Sequence, residues 1–137
     1  MPQMGYALVI SVVCAVALFA SPATRADPRA DYFLHCGGCH LPNGVGHPPE
    51  VPSLRGQLGQ IARTAQGRDY LVRVPGAAQA QVSDARLAAI INFVLREFNA
   101  DSLDSNFQPL DAEEVGRSRK NILADPLAYR EKIWPDY

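Results

Sequence analysis

Cys36-Gly37-Gly38-Cys39-His40 is the run whose residue types and spacing carry the most chemistry. Two thiols three residues apart on a helical turn reach the two vinyl positions on one edge of a porphyrin. The next residue then presents its imidazole to the iron from the same side. This spacing reads as covalent haem attachment through Cys36 and Cys39, with His40 as the proximal iron ligand. The second ring nitrogen of His40 needs a backbone carbonyl to orient it, expected from the Pro48-Pro49 segment. Three other readings stay open. A structural zinc site would draw on the two cysteines with His35, His40 and His47. A thioredoxin-like redox pair would want a βαβ context. A plain disulfide needs only the two thiols.

The third cysteine, Cys14, lies in an apolar run over residues 7–20, ALVISVVCAVALFA, followed by Ser21-Pro22-Ala23. Thr24-Arg25-Ala26 offers a small-x-small cleavage site before Asp27, the layout of a secretory signal peptide over residues 1–26. Residues 1–6 contain no Lys or Arg, so a retained anchor is the competing reading, although fourteen apolar residues are short for a span of roughly 20. The residue before Cys14 is Val13, which does not suit lipidation. Export to the periplasm is therefore expected, with no membrane span after cleavage.

The 111 residues from 27 to 137 are enough for one domain. Loss of Arg25 with the leader takes the 13 Lys+Arg of the chain to 12 against 14 Asp+Glu, a formal net charge of −2 before any haem propionates. That balance argues against a nucleic-acid surface or a polybasic membrane patch.

The elements that must position the motif are mostly helical. Residues 29–39 read as a short helix in which Ala30, Phe33, Leu34 and Gly37 share a face. LPNGVGHPPEVPSLRG is rich in Pro and Gly and favours an irregular loop. Leu54, Leu58, Ile61, Ala62 and Ala65 recur at helical spacing, with Gly67 expected as a C-terminal cap. Ser83 opens the clearest helix, 84–98, with Leu87, Ile90, Ile91, Val94, Leu95 and Phe98 as its apolar face. The best strand signal is short, over residues 70–74.

From about residue 27 to 100 the chain resembles a class I (monohaem) c-type cytochrome. The likeness rests on Tyr32 four residues before the first cysteine, CGGCH, the Gly/Pro loop, PSLRG and the apolar carboxy-proximal helix. The resemblance implies an all-α, small cytochrome c fold, with three to four core helices around one covalent haem c, and electron transfer with a redox partner protein such as a dehydrogenase or oxidase. It also implies a propionate contact for Arg55, in PSLRG.

The sequence departs from that family at the sixth iron ligand. A methionine is expected near Ala77, in Val74-Pro75-Gly76-Ala77, yet the chain's two methionines are Met1 and Met4. His47, His35, Lys120, Lys132 and Tyr70 are the remaining candidates, the lysines only with depressed pKa values. The main expectation is a haem with no strong protein ligand on its distal side. The alternative function is then a five-coordinate haem protein that binds or reduces NO, CO or peroxide, with Gln79, Gln81, Arg73 and Tyr70 as distal donors. A third possibility is an accessory subunit whose distal site a partner completes. No distal histidine is evident, so any peroxidase-type activity should be weak. Loss of the thioether should lower the reduction potential.

Residues 101–137 form a long extension. Asp111-Ala112-Glu113-Glu114 resembles a capping box opening a helix to about Leu123, and Asp125-Pro126 begins a final helix reaching Trp134. Its apolar residues, Leu103, Phe107, Leu110, Ile122, Leu127, Tyr129, Ile133 and Trp134, are expected to pack on the core and cover part of the haem. A docking arm for a partner is the other option.

Overall fold

The computed structural model describes residues 26–134, and the expected signal peptide lies almost wholly outside them. The described residues form eight helices and no strand, the all-α architecture expected. In chain order they are α1 (Pro28–His35), α2 (Gly37–His40), α3 (Leu58–Ile61), α4 (Ala65–Arg73), α5 (Pro75–Ala78), α6 (Asp84–Phe98), α7 (Ala112–Ser118) and α8 (Pro126–Ile133). None of them is long and apolar enough to cross a membrane.

α1 and α6 pack together and set the frame. Asp27 caps α1 through the Arg29 amide at 3.0 Å, and Ser83 caps α6 through the Arg86 amide at 3.3 Å. Tyr32 is fully buried between them, with Phe93 and Phe98 at centroid distances of 5.7 and 5.4 Å. Its hydroxyl donates to the Leu41 carbonyl at 2.7 Å, so the aromatic ring packs while its polar tip is satisfied. The forked Arg86 guanidinium meets the Asp31 carboxylate through Nε and Nη2 and locks the two helices in register.

The expected 29–39 helix is divided. Cys36 leaves helical geometry at φ −127° and ψ −33°, and a separate turn, α2, carries Cys39 and His40. The following loop is irregular as expected, with one bridge between His47 and Val51. Gly46 has φ +67°, and a Cβ there would lie 2.6 Å from the Val51 carbonyl oxygen, so the loop closes only around glycine.

Three local expectations are overturned. Helical spacing from Leu54 to Ala65 yields only the single turn α3, because Thr64 takes an extended conformation at ψ 151°. Its hydroxyl then accepts the Gly67 amide at 3.0 Å and starts α4. Gly67 therefore lies near the beginning of a helix, not at the end of one. Glycine is required there because any Cβ would overlap the Ile61 carbonyl. The strand expected at residues 70–74 belongs to α4 and its cap: a short apolar run fits either state, and the Thr64 cap with burial of Tyr70, Leu71 and Val72 selects the helix.

α7 ends at Ser118, short of Leu123, and only half of the expected capping box forms. Asp111 accepts the Glu114 amide at 2.8 Å, but the Glu114 carboxylate forms a partly buried bidentate pair with Arg68 at 2.7 and 2.6 Å. α8 follows its expected course, capped by Asp125 on the Ala128 amide at 2.9 Å. Leu110, Val115 and Leu123 of the carboxy-terminal segment are buried in the same hydrophobic cluster as Tyr32, Leu87 and Leu95. Asn99, 1 % exposed, ties three segments together: its side chain accepts from the Leu58 amide and donates to the Leu54 and Val94 carbonyls.

Candidate functional site

Between these helices lies a cavity of about 500 Å³, within the size range of cofactor sites. One wall is the segment of residues 35–54. Cys36, Cys39 and His40 all line the cavity from it, so the fold brings the three motif residues to one space. Both thiols are free, Cys36 partly buried and Cys39 exposed. The division of the helix at Cys36 is what sets them side by side: the Cys39 and His40 amides both bond back to the Cys36 carbonyl, at 3.2 and 2.9 Å.

The His40 ring is fixed through Nδ1, 3.0 Å from the carbonyl oxygen of Pro52. With Nδ1 donating, Nε2 keeps its lone pair and can ligate a metal. The sequence points to a carbonyl from Pro48-Pro49 in this role; the loop turns back through the His47–Val51 bridge and delivers Pro52 instead. Burial lowers the His40 pKa, with the Pro52 carbonyl opposing, and so favours the neutral ring a ligand must have. Burial also pushes the Cys36 thiol up to about 11, with Cys39 adding to the rise. A redox pair of the thioredoxin kind needs a depressed thiol, and no strand accompanies this one among the described residues. Zinc fits no better: among the described residues, no three His, Cys, Asp or Glu side chains group as a metal site would require.

The remaining walls come from α3, α4, α5, α6 and the start of α8. Leu58, Ile61, Leu87, Ile90 and Val94 make them hydrocarbon. Outside residues 35–54, the lining from the described residues includes two polar side chains, Tyr70 and Arg130. A site flanked by two thiols and one carbonyl-oriented imidazole, with mostly apolar walls beyond them, fits a porphyrin.

Two proteins named cytochrome c-552 match this chain, both from Thermus thermophilus. Each is 30% identical over 124 residues, covering 76% of this chain and 95% and 84% of the relatives. The chain belongs to the c-type cytochromes. No family model matches it. The cytochrome carries one covalent haem c, and its residues suit that group: thiols and imidazole on one wall, mostly hydrocarbon on the others.

Several residues named from the sequence do not line the cavity. Arg55 does not line the cavity; its guanidinium donates to the Asn43 carbonyl at 2.6 Å and lies 5.5 Å from the Phe98 ring centroid. His47 is exposed, spends its backbone on Val51 and does not reach the cavity. Lys120 and Lys132 are exposed and line no part of it. Of the distal donors, Arg73 pairs with Asp69 at 2.7 Å and bonds the Asn121 carbonyl at 2.5 Å, and exposed Gln81 bonds the Gln79 carbonyl. Tyr70 alone of that group faces the cavity, and His35 does so from beside Cys36. Ala77 lines the cavity where the family pattern calls for a methionine.

One contact that shapes the surroundings of the site carries no signal in the sequence. Arg119, in the carboxy-terminal segment, donates to the Ala78 carbonyl at 3.1 and 2.9 Å, to Ala80 at 2.7 Å and to Val82 at 2.9 Å, and pairs with Asp84 at 2.9 Å. It pins the loop that follows Ala77. A contact between segments some 40 residues apart leaves no periodic trace.

Proposed function

We propose that this cytochrome is an exported one-electron carrier of the class I, monohaem type. In this reading Cys36 and Cys39 form thioethers to one edge of the haem and His40 is its proximal ligand. The observation that carries it is the convergence of both thiols and the Pro52-oriented imidazole on one apolar cavity. Haem supplies an iron that gains and loses a single electron. The chain holds the imidazole in one tautomer through Pro52 and keeps water from most of the ring with hydrocarbon. That limits the reorganisation accompanying a change of iron charge. A periplasmic dehydrogenase or oxidase is the partner class this chemistry serves. Export rests on the apolar run and small-x-small site before Asp27.

The test is mass spectrometry of the purified protein with a potentiometric titration. The reading expects a chain beginning at Asp27 plus one haem that survives denaturation, and a one-electron Nernst curve. Cys36→Ser with Cys39→Ser should release the haem into acid solvent. A wild-type mass without haem, or haem retained by the double variant, would overturn it.

A second reading has its own support. Among the described residues outside 35–54, the lining contains neither thioether nor imidazole. That favours an iron whose distal position takes a small molecule.

A further inference from the structure

We propose that α8 is a gate over the distal side of the cavity, which swings about residues 124–125 to admit a small uncharged ligand such as CO to the iron. This rests on the small-molecule reading of the same site and adds the route by which the ligand arrives. Pro126, Leu127 and Arg130 place the start of α8 in the cavity wall. Leu71, Val74 and Ala77, in the same lining, offer only hydrocarbon from their side chains. A charged ligand passing there would lose much of its hydration without return, whereas a diatomic loses little.

The chain is fastened to α4 as far as Leu123. That residue is 6 % exposed, its amide donates to the Arg73 carbonyl at 3.0 Å, and Arg73 Nε donates to the Asn121 carbonyl at 2.5 Å. Ala124 and Asp125 then run exposed to Pro126. Beyond them the rest of the chain buries no residue of α8, in contrast to α7, where Val115 is fully buried. α8 meets the body through side chains that are only partly buried. Tyr129 stacks on Tyr70 at a centroid distance of 6.2 Å with 2° between planes, Arg73 lies 5.4 Å from the Tyr129 centroid, and Ile133 packs at the far end with Trp134. Asp125 caps the helix through the Ala128 amide at 2.9 Å, so α8 carries its own cap when it moves. A short self-capped helix behind a two-residue exposed hinge, with no buried residue to withdraw, is an element able to open while the core stays closed.

The experiment pairs amide hydrogen exchange of the haem-loaded protein with stopped-flow CO binding to its ferrous form, in wild type, Tyr129→Ala and Tyr129→Phe. In wild type the hydrogen-bonded α8 amides should exchange about tenfold or more faster than those of Ile90 to Leu95 in α6, because α8 opens without global unfolding. Tyr129→Ala removes the stack and should raise the open population, and with it the CO association rate, about fivefold, the scale of one aromatic pair. Exchange of the α8 amides should accelerate by a similar factor. Tyr129→Phe keeps the ring and should change neither. If α8 exchanges as slowly as α6 in wild type, the helix does not open by itself and the gate is refuted, whether or not Tyr129→Ala folds. Faster α8 exchange with an unchanged CO rate in Tyr129→Ala would show a helix that opens without gating, and would also overturn the proposal while leaving the open site intact. A wild type that takes up no CO although α8 exchanges rapidly would overturn the small-molecule reading itself.

Discussion

The wall of residues 35–54 and the wall formed by Tyr70, residues 74–77 and the start of α8 line one cavity but are held in different ways. In the first, the decisive contacts are local. The turn of α2 bonds back to Cys36, and Pro52 reaches His40 twelve residues away. In the second, they are remote. Arg119 grips residues 78–84 from the carboxy-terminal segment, Leu123 bonds the Arg73 carbonyl, and Tyr129 stacks on Tyr70. The first wall is rich in groups that can bond haem or iron; the second is nearly all hydrocarbon. A short motif can specify reactive atoms, whereas a chemically quiet wall depends on what the rest of the chain packs against it.

The largest effect should come from giving the quiet wall a ligand. Ala77→Met places a thioether where the lining has only a methyl group. The variant should convert the iron to a low-spin state, abolish CO binding and raise the midpoint potential, since axial methionine raises it. Absorption spectra and a redox titration check this; an unchanged CO-binding spectrum would mean that residue 77 does not reach the distal position.

Next comes the scaffold of that wall. Gly67→Ala forces a methyl group into the Ile61 carbonyl and should cost about 3 kcal/mol or more. Arg119→Ala leaves the Ala78, Ala80 and Val82 carbonyls without their guanidinium partner and should cost about 2–3 kcal/mol. Both losses are read from urea midpoints. The covalent haem should remain attached in each, because the motif wall is held separately. Haem loss in Arg119→Ala would break the distinction between the walls.

Sequence is a good guide to the first wall and a poor one to the second, for a physical reason. CGGCH joins two thiols and a ligand within five residues, and Ser83 and Asp125 announce their helices through caps that need only neighbouring amides. The carbonyl that orients His40 is placed three or four residues too early by sequence, because the path of the loop depends on the His47–Val51 pairing. At α4 the local pattern points to a strand; Thr64 and tertiary burial decide that segment. Arg119 reads as one arginine among many, and its partners are backbone carbonyls, which no residue type reveals.

Smaller effects follow at the edges of the comparison. Arg86, chiefly by its hydrogen bonds, holds the Asp31 carboxyl below its ordinary range, against the opposing effect of burial. A carboxylate whose folded pKa is depressed contributes stability above its unfolded value of about 4, and that contribution is lost as pH falls through the folded value. Asp31→Asn should therefore flatten the acid limb of stability below about pH 4 and lower stability at neutral pH, measured by urea titrations across pH. Arg55→Ala should cost under about 1 kcal/mol, through the lost Phe98 contact, and leave the haem potential unmoved. A clear drop in potential would support the propionate contact expected for Arg55.

The absorption spectrum of the purified wild type, oxidised and reduced, before and after CO, reads the distal position most directly. High-spin bands that shift promptly on CO addition are predicted from a reactive wall facing one without an iron ligand. Sharp low-spin bands indifferent to CO would contradict it, since they require a sixth protein ligand that the second wall does not offer.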